Sequence, residues 1–419
     1  MMKKWFMTMG ISTVLLGSVL TGCGNNGGES TSGENSNDGE VTQITLTGWQ
    51  SSPQEQKYLD ETIALFEEQN PDIEVTISTI PDSYMDVLRT RLIGGDGPDV
   101  FYLDAFEAPG LIETGVVEPL DEYISEDFDL DDFEQPLLDA FRGNDDTIYG
   151  LPKDTSTLAL FYNKDLLEEA GFDAPPATWE ELEEMAEALT TDSTYGYGVV
   201  PDLARLMFIA ESNGGQVVTD NKASFGDPAV VEALQPVVDM RNEAGTAAEP
   251  SEVGSDNGGE MFALGRAAMI MEGNWTIPFL DENFPDVNYG VAEIPTINGE
   301  QGTMAFTVSY VMNAASDKKE ASWRLIEFLT GKEGMEAWTA SGLTLPTRAS
   351  VAETLDYTDD EIYGPFVAGT SYATVWSDDT NLPIINNNFG NQFISAFLGQ
   401  RDLGEALEEA EDVANREIQ

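Results

Sequence analysis

The amino-acid sequence predicts an α/β fold in two lobes, and three features carry that expectation. Strand-like and helix-like patterns alternate from Ile44 to Asp104, as they do where parallel strands are joined by helices. The alternation resumes between Tyr149 and Leu189. About 380 residues follow position 40, more than one hydrophobic core ordinarily serves.

Each element has a local reason. Ile44-Thr45-Leu46-Thr47 alternates apolar and polar residues and predicts a first strand, with Trp49 at its end. Pro53 suits the first turn of a helix, and Leu59, Ile63 and Phe66 share one face of it before Asn70-Pro71 stops it. Ile73, Val75 and Ile77 alternate as a second strand. Asp82 is placed to cap a helix running through Leu92. Gly94-Gly95-Asp96-Gly97-Pro98 then turns the chain. These glycines precede a strand, and no Gly-Lys-Ser/Thr follows, so they do not form a phosphate cradle. Asp99 to Leu103 reads as a third strand ending at Asp104. Ligands of open parallel sheets gather at the carboxyl ends of strands, where Trp49 and Asp104 both fall. Leu158 to Tyr162 reads as a further strand. A short helix follows, stopped by Gly171, and Thr178-Trp179-Glu180-Glu181 forms a capping box that opens a long helix. Trp179, Trp323 and Trp338 lie on helical patterns as core residues.

Composition excludes several chemistries. The chain has 19 basic and 77 acidic residues, a net charge of −58. Such a body repels nucleic acid, and no nucleic-acid partner is expected. The acids are spread through every helix, which predicts a solvated, mutually repelling surface suited to high salt or an alkaline exterior, and so a halophilic or alkaliphilic source. Histidine is absent, which removes Ser-His-Asp and Cys-His catalysis and most zinc and copper sites. Oxygen-ligand calcium sites and two-carboxylate glycoside hydrolysis stay open to this composition.

The first forty residues read differently. Lys3 and Lys4 precede an apolar run from about Trp5 to Leu20, too short for a good membrane span and suited to a secretory signal. The one cysteine, Cys23, follows Leu20-Thr21-Gly22 and can form no internal disulfide. This stretch resembles the bacterial lipobox, whose cysteine is lipidated and becomes the first residue of the mature protein. The resemblance implies a signal peptide at 1–22 and an extracytoplasmic protein held on the cell membrane by lipid on Cys23. Residues 23–40 carry no large apolar side chain and are expected to be a disordered tether.

Short motifs in order along the body carry a wider resemblance. Leu151-Pro152, Tyr162-Asn163-Lys164-Asp165-Leu166, Ala170-Gly171, Pro176 and Thr178-Trp179-Glu180-Glu181-Leu182 resemble the family 1 extracellular solute-binding proteins, sugar-binding lipoproteins that feed ABC importers and are similar to maltose-binding protein. Gly97-Pro98-Asp99-Val100, Phe262 to Met269, Gly273-Asn274-Trp275, Ala315 to Leu329 and Gly342 to Arg348 are similar to further family segments, so that nearly all of 41–415 is covered. The resemblance implies a two-lobed periplasmic-binding-protein-like fold of type II, with a ligand cleft between the lobes. It implies an N-lobe of 41–155 and 305–350 and a C-lobe of 156–304 and 351–419. It also implies a monomer that binds a small carbohydrate, meets ABC permease subunits, and uses no cofactor or metal.

A sugar presents flat apolar CH faces and a rim of hydroxyls, so aromatic rings and planar carboxylates or amides should line its cleft. Position by position, the resemblance places Trp49, Gln50 and Ser51 at the end of the first strand and Tyr102 and Asp104 at the end of the third. Many relatives carry an acid six residues before the Tyr-Asn pair. Ser156 stands there in this chain, with Asp154 two residues earlier. Asn274 and Trp275 match an aromatic platform. Phe306, Ser309 and Tyr310 lie on the returning segment, which lacks the family's glycine pair, and Trp376 is a second candidate platform. The expected function is a sugar receptor rather than an enzyme. The alternatives are a receptor for a polyol, a glycerophosphodiester or a cationic osmolyte held in an aromatic cage, or an extracellular glycosidase working with two carboxylates.

Overall fold

The computed structural model describes residues 41–49, 53–81, 83–377 and 381–418. Cys23, the leader and the tether lie outside these residues, as do Gln50, Ser51 and Asp82. Twelve strands occur in the described chain: β1 (Thr42–Gly48), β2 (Ile73–Thr79), β3 (Val100–Asp104), β4 (Gly150–Asn163), β5 (Tyr195–Gly198), β6 (Val218–Thr219), β7 (Lys222–Ala223), β8 (Ala247–Ala248), β9 (Ala267–Gly273), β10 (Tyr289–Ala292), β11 (Thr303–Met312) and β12 (Ala373–Val375). Ten of them form one sheet in the order β2-β1-β3-β11-β4-β9-β5-β8, with β10 beside β4 and β12 beside β11.

The opening pattern folds as its alternation predicts. β1 pairs in parallel with both β2 and β3, and the helix Pro53–Gln69 crosses between β1 and β2. Asn70 closes that helix by donating from Nδ2 to the Phe66 carbonyl at 2.8 Å. The next helix runs from Tyr84 to Gly94, two residues beyond the expected end, and Gly95 takes the left-handed conformation that stops it. Its N-cap is Ser83, at a left-handed φ of 49° and with no side-chain cap. The capping box after Pro176 shifts by one residue. Thr178 accepts from the Glu181 amide at 3.2 Å, while the Glu181 carboxylate takes the amide of Ala177, not of Thr178.

β4 is much longer than its apolar core suggests. Leu158 to Tyr162 is legible as a strand, but Gly150 to Thr157, with Lys153-Asp154-Thr155-Ser156 inside it, is also extended and buried. Those polar groups find partners within the sheet and behind it. Thr155 Oγ1 donates to the Phe306 carbonyl and Thr157 Oγ1 to the Phe366 carbonyl. Burial on both faces removes the alternation that sequence reading relies on.

The last part of β11 pairs with β3 and the first part of β4 pairs with β11, while the second part of β4 lies beside β9 and β10. β11 therefore links β3 to β4, and β4 carries the sheet on to β9 and β10. On the β3 side one core gathers Leu46, Phe66, Trp323 and Trp338; on the β9 side another gathers Leu160, Trp179, Met269 and Phe389. The three helical tryptophans are core residues, none more than 6% exposed. Among the described residues no helix is long and apolar enough to cross a membrane.

Candidate functional site: the cleft beside the shared strands

A cavity of about 620 Å³ opens where β4 and β11 pass between the lobes. Trp49, Asp154, Ser156, Trp275 and Phe306, all expected from sequence, meet on its wall. They come from the end of β1, the middle of β4, the turn after β9 and the middle of β11, segments far apart in the chain.

The N-lobe wall is built in layers. Trp49 stands edge-on to Tyr84 at 5.0 Å and to Tyr102 at 5.4 Å between ring centroids. Glycine is needed at position 48, because a Cβ there would lie 2.5 Å from the Tyr102 ring. Tyr102 does not reach the cavity wall. It is fully buried, and its ring meets Tyr310 at 5.4 Å behind Trp49. Ser309 is likewise enclosed, donating its hydroxyl to the Leu103 carbonyl. On these strands Tyr102 and Ser309 back the wall instead of lining it, while Phe306 reaches the cavity and Asp104 the adjoining pocket.

Lys153 and Asp154 form the centre of this wall, and sequence reading missed the lysine. Its ammonium group lies 4.1 Å from the Trp338 ring centroid, 4.6 Å from Tyr102 and 5.9 Å from Tyr310, so three rings enclose the cation. Lys153 is only 2% exposed and donates to Asp154 Oδ2. Trp338 Nε1 donates to the same oxygen at 2.8 Å. Both protein donors thus converge on one oxygen of the carboxylate, while the residue as a whole faces the cavity.

Asp104 lies in a neighbouring pocket of about 460 Å³ that shares Trp49 with the main one. Burial pushes its carboxyl up to about 7; the Phe106 amide, which donates to Oδ1 at 2.8 Å, opposes this, and the nearby Glu107 and Asp154 charges add to it. Arg89 spans the pocket to Glu107 at 2.6 Å.

The C-lobe wall hangs on Gly273-Asn274-Trp275. The Trp275 indole folds back over Gly273, where a Cβ would lie 2.2 Å from the ring. It packs edge-on to Phe306 at 5.6 Å, and the Arg205 guanidinium sits 5.9 Å from its centroid. Arg205 is held by Asp202 at 2.7 Å and Glu272 at 2.8 Å. Asn274 is fully buried and serves as a tie to the following lobe segment, donating to the Leu343 carbonyl at 3.1 Å. Trp376 turns inward, 6% exposed, and stacks on Phe106 at 5.3 Å; it lines neither pocket. Arg205 and Glu272 were not anticipated. The signal for Glu272 was present, since it is the one charged residue in the buried strand Ala267–Gly273. Among the described residues no cluster of acids could hold a metal ion.

Known proteins share this architecture and sequence. A binding protein of Brucella abortus (strain 2308) is 27% identical over 76% of this chain and 79% of its own length. A maltooligosaccharide ABC transporter solute-binding lipoprotein of Streptococcus pneumoniae (strain ATCC BAA-255 / R6) is 24% identical over 98% of this chain and 97% of its own. The structure of an ABC substrate-binding protein from Listeria monocytogenes in complex with cycloalternan superposes with a TM-score of 0.81, at 26% identity, covering 90% of this chain and 99% of that one. The model of the bacterial extracellular solute-binding proteins matches residues 50–336, and the chain belongs to that family.

Proposed function

We propose that this protein is an extracytoplasmic receptor that binds an oligosaccharide between its lobes and delivers it to the permease subunits of an ABC importer. One observation carries the reading: a cavity of about 620 Å³ in which the Trp275 and Phe306 rings and the Asp154 carboxylate line the same space beside the strands shared by both lobes. Rings cover the apolar faces of a sugar, and the carboxylate with the Ser156 hydroxyl meets its rim. The names of the relatives, one bound to cycloalternan and one a maltooligosaccharide receptor, support the same ligand class. Lobe closure about β4 and β11 buries the ligand and favours the closed form.

The direct contacts in this reading are Trp49, Asp154, Ser156, Trp275 and Phe306, with Asp104 in the adjoining pocket. Tyr102, Asn274, Ser309, Tyr310 and Trp376 position them from behind, and Gln50 and Ser51, outside the described residues, complete the expected ligand-binding set. The N-lobe is 41–155 with 305–350, and the C-lobe 156–304 with 351–419. Signal removal before Cys23 and its lipidation leave the body on a tether at the outer face of the membrane, as a monomer without cofactor or enzymatic turnover. The acidic surface fits a halophilic or alkaliphilic exterior.

Thermal unfolding and calorimetry with maltooligosaccharides and galactooligosaccharides test this. A bound sugar raises the melting temperature by mass action. No response to any saccharide sinks the reading, and sustained release of reducing sugar replaces it with the glycosidase.

A further inference from the structure

Six ionisable side chains line the main cavity: Glu55, Lys153, Asp154, Arg205, Glu272 and Glu282. The two cations are already neutralised by the protein. Lys153 pairs with Asp154 and fills the box of Trp338, Tyr102 and Tyr310 rings. Arg205 pairs with both Asp202 and Glu272, whose side chain is 4% exposed. The carboxylates outnumber the cations, and each cation has a carboxylate of its own.

We infer that this cleft selects uncharged saccharides and rejects acidic ones, with Glu272 as a specificity-determining residue that occupies the anion position of Arg205. The inference rests on the sugar reading above and narrows its ligand class. An incoming carboxylate or phosphate would lose its water beside an excess of negative charge and find each cation taken. Rejection by an uncompensated buried charge is a common route to specificity. A glycerophosphodiester is rejected for the same reason. A quaternary ammonium finds the three-ring box filled by the Lys153 ammonium itself.

The arrangement also explains why Arg205 lies beside Trp275. A guanidinium near an indole and facing a sugar cleft would capture uronates if it were unpaired. Glu272 holds it by one nitrogen and Asp202 by the other, so it shapes the platform without offering a free charge.

The test is calorimetry of the purified full-length chain with maltotriose, a galactooligosaccharide, and the same sugars oxidised at C6 to uronates. The expected result is binding of a neutral sugar and an affinity at least about tenfold lower for its uronate, roughly the factor that one uncompensated charge contact imposes. In Glu272→Gln the gap should narrow severalfold, because the uronate can then take the vacated position on Arg205. Asp202→Asn, at a more exposed site, probes the same arginine if Glu272→Gln does not fold. Uronates that bind the wild type as well as neutral sugars overturn the inference while leaving the sugar reading intact. A folded variant with an unchanged gap overturns the role of Glu272. If no saccharide of either kind binds, the sugar reading fails and takes this one with it.

Discussion

The two walls of the cleft both place a cation against tryptophan and neutralise it with carboxylate, but at different depths. On the N-lobe wall, the Lys153 and Asp154 side chains are 3% and 6% exposed and closed in by rings. On the C-lobe wall, Arg205 is 19% exposed and one of its two partners, Asp202, is 35% exposed. Charge separation costs far more where water cannot reach. The N-lobe pair is therefore chiefly a structural element that fixes the Asp154 carboxylate, and Arg205, beside the Trp275 ring, keeps one partner, Asp202, within reach of water.

The largest expected effect breaks the first wall. Lys153→Met leaves Asp154 buried with Trp338 as its remaining side-chain donor among the described residues. Removing one partner of a buried pair typically costs about 3–5 kcal/mol, and urea unfolding should show a loss of that order. Arg205→Met should cost less, since Asp202 regains water, and what loss remains comes from Glu272, which is 4% exposed and left without its guanidinium. Equal losses for the two variants would erase the contrast between the walls.

Next in size is the platform. Trp275→Ala should weaken oligosaccharide binding by about 2 kcal/mol or more, the scale of a buried aromatic anchor. The unliganded protein should melt nearly as before, because Trp275 is only partly buried against the second core. A variant that binds like the wild type, or that unfolds without ligand, would show Trp275 to be a core residue.

The contrast between the walls also marks what the sequence could reveal. Trp49 was legible from its place at the end of a parallel strand, and Trp275 was placed near the cleft by the family resemblance of Gly273-Asn274-Trp275. Phe306 was legible from its place on the returning strand. Tyr102 and Tyr310 were placed on the wall but lie behind it. β3 and β11 are covered on both faces, so alternation cannot say which side chains look outward. Trp376 had no strand or helix pattern to orient it, and the fold turns it onto Phe106. Lys153 and Arg205 escaped notice for a shared reason. Each is a single cation whose partners are assembled only by the tertiary fold: Trp338, Tyr102 and Tyr310 for one, Glu272 for the other. The opening β1-to-β3 unit, the Thr178 cap and the Gly171 stop needed only local rules, and they were right to within a residue or two.

The smallest expected effect is a pH dependence on the N-lobe side. Asp104 has an ordinary carboxyl value of 3.8, and folding raises it to about 7, chiefly by burial. The folded state thus keeps a proton that the unfolded chain has released. Its contribution to stability is fully present below about 4, declines as pH rises, and is gone above about 7. The absence of histidine makes this measurable, since the common side chain that titrates near neutrality is missing. Between pH 5.5 and 7 most exposed carboxylates are already ionised, so self-repulsion of the acidic surface changes little there. Across that window the melting temperature should fall by a few degrees and then level off. Asp104→Asn, which keeps the shape and cannot ionise, should flatten the decline while leaving the low-pH value nearly unchanged. A wild-type profile already flat from pH 5.5 to 7, or a slope that persists in Asp104→Asn, would show that the carboxylate ionises freely in the folded protein. Asp104, partly exposed like Asp202 on the other wall, would then ionise in spite of its pocket, and the difference in depth between the two walls would not extend to it.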